Sequence, residues 1–154
     1  MDPYFAQLLP RQKLVAALKA RAGTPFRAGL GEPGQGYDCW HLVIDVYDAA
    51  GIDTRQLRDL PDGSLNHGRF HSRSPLLEFL HRNPVCRRRL RRMDPDAAVM
   101  TGDLLVIRQA VSANHLAIAE GEAVAWHVPR GGTVSRISLV SLVQNLHCIY
   151  RVMK

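Results

Sequence analysis

The chain contains no apolar run near the roughly 18 residues that a membrane-crossing helix needs, so no such span is expected. Its opening, MDPYFAQLLPRQKLVAAL, lacks a basic segment followed by an apolar one. No signal peptide is read there, and synthesis in the cytoplasm is the expectation. Cysteine is scarce: Cys39, Cys86 and Cys148 are odd in number and widely spaced, which excludes a disulfide framework and leaves at least one thiol free to react. Aromatic residues are only 6% of the chain and none interleaves with its arginine cluster, so nucleic acid is not the expected ligand. Cys86, Cys148, His41, His81 and His147 have no ligand-like spacing. His67 and His71 in "NHGRFH" could share a helical face as a metal pair, but Gly68 and the turn-rich setting speak against a helix there.

What is present is the composition of a globular domain, with 154 residues of which 46% are hydrophobic and 22% charged. One domain over residues 1–154 is the simplest organisation. The formal charge of +6 is carried almost wholly by arginine, and Arg87, Arg88, Arg89, Arg91 and Arg92 crowd the stretch "NPVCRRRLRRMDP". Such a run is either a solvated face following the apolar stripe Leu76, Leu77, Phe79 and Leu80, or a surface for an anionic polymer or partner protein.

Hydrophobic spacing predicts a first helix from about Ala6 to Ala22, closed by Gly23, and a second from Cys39 to Gly51. The Gly- and Pro-rich stretch between them is a loop. Residues 58–93 read as a surface insertion: a polar excursion from Arg58 to Ser74, a helix from Pro75 to Arg82, and the arginine run as its extension or a separate turn. After Asp94 the period changes. "GDLLVIRQ", "NHLAIAEG", "EAVAWHVPR", "TVSRISLV" and "HCIYRVM" are short runs rich in branched residues and separated by turns. Helices first and strands later predict an α+β fold, with N-terminal helices on an antiparallel sheet of about five strands.

A thiol at the start of the second helix is placed for chemistry, because unpaired N–H groups and the positive end of the helix dipole favour its anion and lower its pKa. Asp38 stands before Cys39, and Trp40 after it. A thiol also needs a base, and His115 lies on a predicted strand. The next strand carries His127, and a hairpin register that sets the two side by side places the turn centre at Gly121. The spacing supports a Cys-His-His constellation of Cys39, His115 and His127.

At these residues the chain resembles the NlpC family of cell-wall cysteine peptidases, which has a papain-like fold. The resemblance rests on Asp38–Cys39, Leu42–Val43, Gly51–Ile52, Gly102–Asp103–Leu104, His115–Leu116–Ala117–Ile118 and His127, and runs from Thr24 to Val152. It implies hydrolysis of an amide in peptidoglycan stem peptides, commonly between D-glutamate and a diamino acid, without metal or cofactor. Cys39 would be the nucleophile, His115 the general base and later acid, His127 the group that orients it, and the Cys39 N–H an oxyanion donor. Phe26, Asp38, Trp40 and His41 would border the substrate. Three departures stand out: Phe26 where the family commonly has a tyrosine hydroxyl, Trp40–His41 where it prefers Ser-Gly, and Leu-Ala-Ile-Ala after the first histidine in place of a glycine-containing run. The aromatic after the cysteine resembles tail-tip proteins of tailed phages and phage-like particles. That likeness implies incorporation into such a tail, with phage-like tail proteins as partners of the 58–93 region; an injected toxin would share the chemistry. Two classes follow: an active peptidase, or a structural tail component that keeps the fold without turnover. In a related Cys-His amidase scheme, Glu120 or Glu122 would replace His127.

Overall fold

The structure is a computed structural model, and it describes residues 1–58, 74–109 and 112–154. His67 and His71 lie outside the described residues, as does nearly all of the excursion expected between Arg58 and Ser74. A single turn at Tyr4–Ala6 leads into helix α1 (Leu8–Arg21), and two short paired strands, β1 (Gly31–Glu32) and β2 (Gly36–Tyr37), precede α2 (Cys39–Ala49). Helices α3 (Pro75–Arg82) and α4 (Pro84–Arg89) follow. The remaining strands are β3 (Leu90–Met93), β4 (Leu104–Gln109), β5 (Ser112–Ala119), β6 (Val124–His127), β7 (Ser135–Ser138) and β8 (Leu146–Val152), with the short helix α5 (Leu139–Leu142) before β8. They form one six-stranded antiparallel sheet in the order β3-β8-β4-β5-β6-β7.

Local chemistry accounts for the helix boundaries. Asp38 caps α2 by accepting the His41 N–H at 2.7 Å. Apart from His41, Asp45 and its last turn, α2 is buried all round, with Trp40, Leu42, Val43, Ile44, Val46 and Tyr47 in the core, as befits a helix packed on several sides. Ser74 caps α3 through the Leu77 N–H at 3.1 Å, and Pro75 occupies its first position. Pro84 has no N–H to continue α3, so the helix ends at Asn83, whose side chain then caps α4.

Two expectations change here. The arginine run is not one helical extension: Arg87, Arg88 and Arg89 finish α4, and Arg91 and Arg92 belong to β3, so the sheet has six strands rather than about five. β3 has no apolar alternation to announce it; it exists because Leu90 to Met93 pair with Val152 to Ile149 at the edge of the sheet. The end of "TVSRISLV" also leaves the sheet, since Leu139 and Val140 open α5.

The sheet buries both faces. One packs Leu104, Val106, Leu116, Ile118, Cys148 and Tyr150 against α1 and α2, and the other packs Leu105, Ile107, Ala117, Ala119, Ala125 and Ile149 under α5. Gly102 enters β4 at φ 85°, and a Cβ there would collide with the Phe5 ring. Its carbonyl accepts the Tyr47 hydroxyl at 2.8 Å, tying α2 to the sheet. The neighbouring Asp103 is buried and takes two bonds from Arg151, at 3.0 and 2.8 Å. The Gly-Asp pair is therefore architectural.

Candidate active site

Cys39 is the first residue of α2, and its buried thiol packs against β5, where the backbone N–H of Leu116 reaches it. Leu116 directly follows His115, so helix packing brings the thiol to the strand carrying the first histidine. His115 Nε2 lies 2.9 Å from His127 Nδ1, with ring centroids 5.2 Å apart and the rings at 70°. The two histidines do not stand directly opposite, as a turn centred on Gly121 would require. Ile118 pairs with Trp126 and Ala119 with Ala125, and continuing that register makes His115 and His127 diagonal neighbours. A two-residue offset keeps both on one face, whereas a slip of one would have put them on opposite faces.

The electrostatics differ from the expectation of an acidified thiol. Burial pushes Cys39 up to about 12, the Asp38 carboxylate adds to the rise, and the N–H groups of Leu116, Trp40 and Cys39 itself recover only part of it. Burial, and after it the neighbouring His127, pulls His115 down to about 3. Burial also lowers His127. At neutral pH the free chain therefore holds a thiol beside two uncharged imidazoles.

The residues expected at the substrate border separate into two groups. Trp40 is 2% exposed, donates its indole N–H to the Leu57 carbonyl at 2.9 Å, and meets Phe79 edge to face with centroids 5.4 Å apart. It is a core anchor and offers no surface to a substrate. Asp38 is 4% exposed, and its carboxylate already accepts from Gly29 N, His41 N and His41 Nδ1, so it holds the loop and the helix start. His41 and Phe26 keep partial exposure. The hydrogen bond to Asp38 raises the His41 pKa, and the Cβ of His41 packs where a side chain at residue 31 would stand, so Gly31 is needed there. Phe26 bridges Tyr37 through the backbone, and the Arg130 guanidinium lies 5.9 Å from the centre of its ring.

Two features escaped the sequence reading. Arg130 closes "AWHVPR" just after His127, and its cationic side chain beside Phe26 is visible only once the hairpin is folded. The buried Tyr37 donates to Asp45, which also receives Arg21 Nε at 2.6 Å, and this triad fixes β2 and the middle of α2 to α1. Asp45 facing Arg21 one helix away leaves no short-range sequence signal. Among the described residues no group of three or more His, Cys, Asp or Glu is arranged to hold a metal.

Residues 23–152 match the NlpC/P60 family. Among solved structures, the NlpC/p60 domain of the peptidoglycan hydrolase SagA resembles the chain with a TM-score of 0.57 at 20% identity, over 94% of this chain and 98% of that one. A protein similar to a lipoprotein of the NLP/P60 family from Staphylococcus aureus resembles it with a TM-score of 0.64 at 18% identity; the whole chain is covered but only 45% of that protein. At these identities the likeness is one of fold. No curated protein sequence is significantly similar to the chain.

Proposed function

The chain belongs to the NlpC/P60 family, and on that premise we propose that it is a cysteine peptidase that cleaves an amide bond in peptidoglycan stem peptides, with Cys39, His115 and His127 as its triad. The observation that carries this reading is the 2.9 Å contact between His115 Nε2 and His127 Nδ1, with His115 on the strand against which the Cys39 helix packs. With Nε2 engaged, Nδ1 of His115 is the nitrogen that takes the thiol proton, and the resulting imidazolium keeps an N–H donated to the Nδ1 lone pair of His127. The thiolate attacks the scissile carbonyl carbon, and the backbone N–H of Cys39 donates to the developing oxyanion. As the C–N bond breaks, His115 returns its proton to the leaving amine. Water then attacks the thioester with His115 as base, releasing the carboxylate and restoring the thiol.

The free chain holds thiol and imidazole uncharged, so proton transfer waits for the substrate to fill the site. A carbonyl approaching the Cys39 N–H supplies the missing stabilisation of negative charge. Phe26 has no hydroxyl to assist, so the oxyanion relies on backbone donors. We place the whole chain in a single domain of this type and, from its resemblance to tail-tip proteins, in the tail of a phage-like particle; adjacent tail genes in the source genome are the expected finding.

Incubating purified protein with muropeptides and reading the products by mass spectrometry tests the activity. Cleaved stems are expected with the wild type and none with Cys39→Ala at unchanged circular dichroism. If wild type and Cys39→Ala both leave every muropeptide intact, the structural-component reading, to which the missing Phe26 hydroxyl points, replaces this one. Cleavage undiminished in His127→Ala would remove His127 from the triad and favour Glu120 or Glu122.

A further inference from the structure

Arg92 and Arg108 each spend a guanidinium hydrogen bond on an imidazole instead of a carboxylate. Arg92 Nη1 donates to His81 Nε2 at 2.9 Å, and Arg108 Nη2 donates to His147 Nδ1 at 3.3 Å. A guanidinium has only donors, so both rings act as acceptors and are held uncharged. The four side chains come from α3, β3, β4 and β8, and the two pairs flank one strand: β8 runs between β3 and β4, and the Tyr150 hydroxyl of β8 lies 3.3 Å from His81. His81, Arg92 and Arg108 are exposed, and His147 is half-buried. Among the described residues no carboxylate lies within ion-pair distance of Arg92, Arg108, His81 or His147.

Two cations that face neutral rings, with no carboxylate paired to them among the described residues, leave an unbalanced positive field at the surface. A planar carboxylate satisfies one guanidinium fork. Two guanidinium groups carried on separate strands on either side of β8 suit an anion whose oxygens point in several directions. We propose that His81, Arg92, Arg108 and His147 form a binding site for phosphate groups, distinct from the Cys39 site and independent of its chemistry.

The site responds to pH. Both rings lie below the ordinary histidine value, His81 through burial and Arg92, and His147 through burial, Arg108, Arg92 and His81. The other titratable groups around them are Cys148 and Tyr150 on β8. On α3 itself Arg82 adjoins His81, and Glu78, three residues earlier, makes contacts of its own. A bound phosphate brings negative charge and raises both rings; a phosphodiester keeps its single charge throughout, so its binding takes up protons and tightens as pH falls through the ordinary histidine range near ~6.5, whereas inorganic phosphate loses charge over the same range.

The test is a titration of the whole chain with inorganic phosphate, and separately with poly(glycerol phosphate), at constant ionic strength set with chloride. The histidine ring signals are followed by NMR. His81 and His147 are expected to shift and to titrate at higher pH with phosphate present. The Arg92→Gln/Arg108→Gln double variant should bind about tenfold more weakly or worse. Should that variant misfold, His81→Asn and His147→Asn, which keep the guanidinium charges, should bind with less dependence on pH. Per-phosphate affinity that is much higher for the polymer identifies a polymeric ligand, and equal affinity identifies free phosphate; either upholds the site. Unmoved His81 and His147 signals with both probes, or a well-folded double variant that binds like wild type, overturns it. So does duplex DNA bound equally by wild type and double variant with those signals unmoved, because that is attraction to net charge alone.

Discussion

At Cys39 two effects of opposite sign act on one sulfur. The helix end contributes roughly 1–2 kcal/mol toward the anion, about one pKa unit. Full burial can move a group by about 3–5 units the other way, and burial prevails, with Cys39 pushed up to about 12. Iodoacetamide is therefore expected to label Cys39 slowly at neutral pH, with a rate that rises steadily from about pH 7 to about pH 10 and has no plateau at acid pH. Peptide mapping by mass spectrometry separates this label from Cys86 and Cys148, which are also buried. Fast labelling at about pH 5 would mean a preformed thiolate–imidazolium pair and would contradict the burial argument. The position of Cys39 was legible in the sequence because a capping aspartate before an apolar helix is a local pattern. Its protonation state was not, because solvent exclusion depends on what packs over the helix end.

Among the elements, α2 and the β5–β6 hairpin decide the geometry of the site. Asp38 joins three parts of it, since its carboxylate accepts from the Gly29 N–H at 2.9 Å, the His41 N–H at 2.7 Å and the His41 ring. Asp38→Ala removes the cap and should cost about 1–2 kcal/mol in urea unfolding, while Asp38→Asn keeps an acceptor and should lose less. An unchanged midpoint in Asp38→Ala would show that the loop has another anchor. For the hairpin, alternation identified both strands, yet the register came out two residues away from a direct His115–His127 pairing. Parity saved the contact, because a shift by two preserves the face. β3 was invisible for the opposite reason: an edge strand of arginines has no pattern of its own and is defined by the partner it pairs with.

For the whole molecule, acid sensitivity follows from the buried histidines. His115 sits at about 3 in the folded chain, below its ordinary unfolded value near ~6.5, and His127 is lowered in the same sense. The folded state thus binds fewer protons than the unfolded one between those values. The contribution is complete above ~6.5 and is lost as pH falls toward about 3. Melting temperature should decline over that window, and His115→Gln should flatten the decline; an equal slope in both proteins would show that other groups set the acid limit. The Asp103–Arg151 pair closes the sheet from within, its side chains 2% and 13% exposed. Asp103→Ala leaves a largely buried guanidinium unpaired, and a loss of about 3–5 kcal/mol in denaturant unfolding is expected. The sequence by itself determined what neighbouring residues can encode: the capped cysteine helix, the later strands, the punctuating glycines, and the residue types able to perform thiol chemistry. Only the tertiary structure decided which histidine nitrogen faces which, how far burial overrides the helix dipole, that Trp40 serves the core, and that two arginine–histidine pairs flank β8. These quantities depend on cross-strand register and on water exclusion. Both are set by residues far apart in the chain, and neither leaves a trace in local spacing.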